Sequence, residues 1–278
     1  MLKKMMYIAA ATLLGVTLHA KAVDSEIIEF EKKRFEANKQ IVLKNVELYF
    51  KQELDLKNWS AFILNIDAVY QGQDVRFKDV LFSNGEYVTP ELIDLKSGRS
   101  LKSSIAPELD ESFYDEQHLI LGNANAKNRI VVFSDPLCPF CMDYIPDVIK
   151  HVKKYEKSIA LYYYHYPLLQ IHPASQALSK LMHVAFEKGV EDVFLRTYEA
   201  YWDEYFDENE KDEAKILKAF NKVMNTQITL EEIQNEAIQE VVFGDLAKGE
   251  DAMVQGTPTI FVNGKLDGTK TKFLELGK

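Results

Sequence analysis

The sequence predicts an α+β protein in two parts. A small helix-plus-antiparallel-sheet unit comes first, and a larger unit of strands and helices carrying a helical insertion follows. Three observations predict this. After an opening helical stretch, apolar residues between 46 and 89 alternate at the period of strands. From residue 119 the order becomes strand, helix, strand. Between about 173 and 243 only helical spacing occurs.

Residues 1–22 read as a secretory signal peptide. Lys3 and Lys4 form a basic start, 5–18 are uncharged and mostly apolar, and Ala20 and Ala22 stand at the small-residue spacing of a cleavage site. The run is short against the ~20 residues of a spanning helix. The expectation is export, with cleavage near Ala22. Removal would delete three lysines and no acid, leaving 30 basic and 43 acidic residues and a net charge of −13. Such a surface argues against nucleic acid and anionic membranes as partners.

Residues 23–101 are expected to form one domain. Residues 24–41 read as a helix whose irregular apolar stripe includes Ile27, Ile28 and Phe35. Val46, Leu48 and Phe50 alternate with polar neighbours, 61–70 is β-rich, and Asn84-Gly85 between two apolar runs signals a hairpin. Residues 92–101 read as a further strand and turn. So small a unit gains by burying its sheet face against a second copy, which predicts a homodimer through it. Residues 102–117 are polar and acidic and read as a linker, and 118–278 as the catalytic domain.

In that domain 119–121 and 129–133 read as strands, 139–155 as a helix, and 158–166 as a buried strand. Four helical patterns follow: Ala174–Met182 closed by Gly189, Val190–Trp202, Ile216–Met224 and Leu230–Val241. Their aromatic stripe is core spacing. The segment 257–265, "TPTIFVNGK", gives a strand running into an Asn263-Gly264 turn, with a last strand and helix after it.

The chemistry sits in "FSDPLCPFC". The only two cysteines, Cys138 and Cys141, flank Pro139 and Phe140 where a strand passes into a helix. A thiol at a helix N-terminus faces unpaired N–H groups and the positive end of the macrodipole, which favours thiolate. Pro139 suits the first turn, where its missing N–H is not needed. Cys138 is therefore the candidate nucleophile, expected to be accessible, and Cys141 the resolving thiol, expected to be buried, together a redox-active disulfide. A static disulfide closing so small a loop would stabilise little. Half a metal site is the other reading, but His151, His165, His172 and His183 supply no second paired motif. No metal and no cofactor is expected.

Strand–CPFC–helix, a helical insertion and a late "GTPT" before a strand pair closely resemble the thioredoxin fold, over roughly 118–278. "FSDPLCPFC" resembles the signature of the periplasmic DsbC and DsbG disulfide oxidoreductases. The resemblance implies a cis peptide at Thr257-Pro258, with Thr257, Pro258, Pro139 and Phe140 supporting the active site. It also implies V-shaped homodimers, exported cysteine-containing proteins as clients, and a membrane redox partner that recycles the pair. One departure is that Val132 stands six residues before Cys138, where thioredoxin and DsbA carry a buried acid. Asp135 is the nearest replacement, and its position predicts a site too near the surface to serve. The function implied is a periplasmic thiol–disulfide oxidoreductase of isomerase or reductase type. The alternatives are a DsbA-like oxidase, suggested by the "IHPAS" segment at 171–175, and a periplasmic chaperone that binds unfolded chains.

Overall fold

The computed structural model describes residues 23–278, so the signal-peptide reading lies outside the described residues. The chain divides into two compact units, one ending at Ile105 and the other spanning Ala106–Lys278. The mixed α+β class holds: an N-terminal helix and antiparallel sheet come first, and a second unit of strands and helices follows.

In the first unit, helix α1 (23–36) lies on a sheet ordered β1 (Ile41–Glu53), β2 (Ser60–Tyr70), β3 (Gln73–Ser83), β4 (Val88–Thr89), antiparallel throughout. Ile27 from α1 packs with Val46, Phe62, Leu64, Ile66 and Leu81. Phe62, Leu64 and Ile66 are alternate residues of one strand and therefore share a face. Asn84-Gly85 does turn the chain between β3 and β4, with Asn84 Oδ1 accepting from the N–H groups of Glu86 and Tyr87.

Two local features differ from the sequence reading. Gln71 and Gly72, both at positive φ, close a tight β2–β3 hairpin. That is the backbone a two-residue turn demands, supplied here by a Gln-Gly step that carries a weaker signal than Asn-Gly. Among the described residues, 92–101 make only one bridge, Ile93 to Ser100. Asp94 Oδ1 accepts from the N–H groups of Lys96 and Ser97, so the chain turns back before a ladder can extend.

The second unit is built on a five-stranded sheet ordered β5 (Leu119–Gly122), β7 (Ile159–His165), β6 (Asn128–Ser134), β8 (Thr259–Val262), β9 (Lys265–Leu266). β6 and β7 are parallel, joined by helix α2 (Pro139–Lys154); the other pairs are antiparallel. Strand alternation sorts the core into two layers. Ile130, Val132, Leu161, Tyr163 and Ile260 face α2 and the insertion. Val131, Phe133, Tyr162, Tyr164 and Phe261 face the other way, onto Leu109, Phe113, Ala252 and Val254. Leu109 and Phe113 come from the stretch read as a linker, and they are buried in this second layer.

The insertion holds α3 (Ser175–Glu187), α4 (Val193–Glu199), α5 (Glu213–Met224), α6 (Leu230–Gln234) and α7 (Glu236–Asp251). The single helix expected at 230–241 is two. Asn235 leaves helical geometry and caps the next helix by accepting from Ala237 N–H, and α7 then runs on to Asp251. After the two-residue β9 the chain ends in a short 3₁₀ turn, Lys272–Glu275, where a helix was expected.

Candidate active site

Strand β6 ends at Ser134, and Asp135 begins a turn that delivers the chain to α2. Cys138 is the N-cap of that helix, with extended φ and ψ and no side-chain cap of its own. Pro139 occupies the first helical turn. Cys138 O accepts from the N–H groups of Cys141 at 2.9 Å and Met142 at 3.0 Å, which fixes one thiol a turn above the other. Both are free thiols in this structure.

The segment before β8 completes the site. The Thr257–Pro258 peptide bond is cis. The Cys138 sulfur lies 3.5 Å from Thr257 O, to which its S–H is directed. Cys138, Cys141, Pro139, Thr257 and Pro258 are thus brought together at one end of the sheet, where β6 leaves it and the adjacent antiparallel β8 enters it. Phe140, 74% exposed, stands on the outside of the first turn. An open groove of about 490 Å³, lined by Leu137, Met142, Tyr201, Trp202 and Phe206 together with acidic side chains, adjoins the residues flanking the pair.

The two thiols have opposite electrostatics. Cys138 is lowered from 9 to about 5, first by its hydrogen bond with Cys141, then by the Thr257 hydroxyl and the N–H groups of Cys141 and Phe140, against the desolvation that raises it. Cys141 is pushed far up by burial and then by the neighbouring Cys138 sulfur. Among the described residues the buried Thr257 hydroxyl finds no hydrogen-bond partner, which leaves it free to donate to a Cys138 thiolate.

Two expectations about this site need correction. Cys138 was expected to be accessible, yet it is only 4% exposed, because the Thr257 segment covers the helix N-terminus. Asp135 was expected near the surface and is fully buried. Its Oδ1 accepts from Leu137 N–H and its Oδ2 from Leu168 N–H, both at 2.7 Å, and Oδ2 lies 3.1 Å from His172 Nδ1. It is a structural clamp between the turn before Cys138 and the segment leading into α3. His172 belongs to this clamp. His151 Nε2 lies 3.1 Å from Leu276 O, and His165 and His183 pack ring to ring. Among the described residues no group of His, Cys, Asp and Glu could hold a metal ion, and no helix is long and apolar enough to cross a membrane.

The family model described as Thioredoxin matches residues 114–277, more than half of the chain. The chain belongs to the thioredoxin family. No curated protein matches it. Solved structures that are similar include BdbD from Bacillus subtilis in its oxidised form (19% identity, TM-score 0.48, covering 62% of this chain and 93% of that one). A thioredoxin-like oxidoreductase from Silicibacter pomeroyi DSS-3 is 17% identical (TM-score 0.47, 60% and 96%). DsbA2 from Pseudomonas aeruginosa is 22% identical (TM-score 0.40, 55% and 88%). Within the thioredoxin frame, sequence reasoning missed a third polar element. Ser134, Tyr163 and Tyr198 are completely buried beneath Cys141 and joined through their hydroxyls. The spacing of Tyr198 signals core, which it is; the spacing carries no sign of where its hydroxyl points.

Proposed function

We propose that the protein is a periplasmic thiol–disulfide oxidoreductase of the Dsb group, of the DsbC/DsbG-like isomerase or reductase type, acting on exported cysteine-containing proteins. The observation that carries this is the split between the two thiols: Cys138 is lowered to about 5 while Cys141 is held protonated. At neutral pH only Cys138 is a nucleophile. The Cys138 thiolate attacks a client disulfide, forming a mixed disulfide and releasing one client thiolate. Cys141 then attacks the Cys138 sulfur, closing the Cys138–Cys141 disulfide and releasing the second client sulfur. The client gains two electrons and the pair loses two, so a membrane redox partner must return them. Attack by another client thiol before Cys141 closes gives isomerisation instead. Thr257 lines the entry, and the exposed Phe140 and the neighbouring apolar groove offer surface to an unfolded client. Pairing through the N-terminal sheet unit would set two such sites in one homodimer.

A DsbA-like oxidase is the second reading, and the low Cys138 value favours it. A stabilised thiolate stabilises the reduced form and makes the disulfide a stronger oxidant. The redox state of the pair in intact cells, read by acid quench, alkylation and gel shift, separates the two. A mostly reduced pair supports isomerase or reductase action; a mostly oxidised pair supports the oxidase. Clients trapped on Cys141→Ala but absent from Cys138→Ala support either form of the proposal, and clients on neither would refute both.

A further inference from the structure

The reaction needs Cys141 to become a thiolate, and both burial and the neighbouring Cys138 sulfur resist that. Cys141 is fully buried, and its thiol is pushed far up by that burial. Val132, on the strand beneath, offers no polar atom. Ser134 lies two residues on in the same strand and so on the same face, the one packed against α2. Its hydroxyl lowers the Cys141 thiol, against the burial that raises it.

Counting hydrogens gives this contact a direction. Tyr198, from α4, donates its only hydroxyl hydrogen to Ser134 Oγ at 2.6 Å. Tyr163, from β7, lies 2.6 Å from the Tyr198 hydroxyl and 3.3 Å from Ser134 O, so it has two acceptors for its hydrogen and none is needed elsewhere. Ser134 Oγ receives from Tyr198, which leaves the Ser134 hydrogen to be given away, and the Cys141 sulfur is the acceptor it meets. Burial holds both tyrosines well above their usual range, so neither releases its hydrogen at neutral pH. Each donation polarises the next hydroxyl, strengthening the last bond in the row.

We infer that Ser134, Tyr198 and Tyr163 form a one-way hydroxyl chain whose terminal donor, Ser134, stabilises the Cys141 thiolate during resolution of the mixed disulfide. In this assignment Ser134 acts directly on the reacting sulfur and is a catalytic residue; Tyr198 and Tyr163 are positioning residues. The inference rests on the oxidoreductase reading. In the step it serves, Cys141 loses a proton, its sulfur bonds to the Cys138 sulfur, the Cys138–client bond breaks, and the leaving client thiolate takes up a proton. The titratable groups that face Cys141 are Cys138 on α2, Tyr163 on β7 and Tyr198 on α4, and the backbone N–H of Asp135, in the turn after β6, also favours its thiolate.

The test uses the full protein and oxidised glutathione. Rapid quench separates the two steps: attack by Cys138 releases one glutathione, and resolution by Cys141 releases the second. Ser134→Ala should slow the second release about tenfold, the scale of one lost hydrogen bond to a charged group. Tyr198→Phe should slow it about threefold, and Ser134→Thr should keep near the parent rate. The first step should not change. In a Cys138→Ala background, Ser134→Ala should make Cys141 alkylate more slowly. Loosened packing would do the opposite, because admitting water lowers the pKa of a buried thiol. If Ser134→Ala fails to fold, Tyr198→Phe, which keeps the ring, decides alone. An unchanged second release, or faster alkylation of Cys141, overturns the inference and leaves the oxidoreductase reading intact. No release of glutathione by the parent protein overturns that reading, and the inference with it.

Discussion

Replacing Asp135 by Asn tests the clamp that sets Cys138 in place. The carboxylate has no exposure and accepts from Leu137 N–H through one oxygen and from Leu168 N–H through the other, with His172 Nδ1 beside the second. An amide has the same shape but only one acceptor. Turned one way, its NH₂ meets Leu137 N–H; turned the other, it meets Leu168 N–H and His172. Either way one buried donor loses its acceptor and faces another donor. Hydrogen bonds to charged groups contribute about 1.5–3 kcal/mol, and an unsatisfied buried donor costs about 1–3 kcal/mol. We expect the net loss to be about 2–4 kcal/mol, a fall in Tm of roughly 5–12 °C for a unit of this size. Urea unfolding at neutral pH, with the m-value checked to be unchanged, measures it. A variant within about 0.5 kcal/mol of the parent, the range of an ordinary surface substitution, would refute the reasoning.

Other outcomes are expected from the same site. Thr257→Val removes a hydroxyl that stabilises the Cys138 thiolate, so the thiolate midpoint should rise by up to about one unit; thiolate absorbance against pH reads it, and an unmoved midpoint would count against the contact. The Cys138 value also links stability to pH. Its folded value of about 5 lies below the unfolded one, so the extra stability of the reduced protein is complete above about pH 8.5 and is lost as pH falls through 5. After discounting for solvent screening, about 1–2 kcal/mol of the reduced-minus-oxidised stability present at pH 7 should vanish by pH 4; paired urea titrations check this. The full-length protein should scatter light as a homodimer, and deletion of residues 23–105 should leave a monomer. A monomeric parent at micromolar concentration would remove pairing through the N-terminal unit.

What the sequence made legible follows from range. Elements set by local pattern were readable: the strands around 129–133 and 158–166, helix α2 with Pro139 in its first turn, and the Asn84-Gly85 turn. The helix break at Asn235 was hidden because apolar spacing continues across it, and capping there depends on a single side chain. Cys138 and Cys141 declared themselves by type and spacing. Asp135 did not, since its burial depends on Leu168 and His172, more than thirty residues away. Ser134, Tyr163 and Tyr198 were invisible for the same reason. Each looks like an ordinary strand or core residue until β6, β7 and α4 assemble around Cys141.

The central claim is that the two thiols differ in kind, and site-resolved alkylation tests it most directly. The reduced protein is pulsed with iodoacetamide from pH 4 to 9, and labelling at each cysteine is read by peptide mass spectrometry. The account predicts a Cys138 rate that rises with a midpoint near about 5 and is flat above pH 7, with Cys141 essentially unlabelled throughout. Equal rates at the two cysteines, or a Cys138 midpoint near the ordinary thiol value of about 8.5, would contradict it.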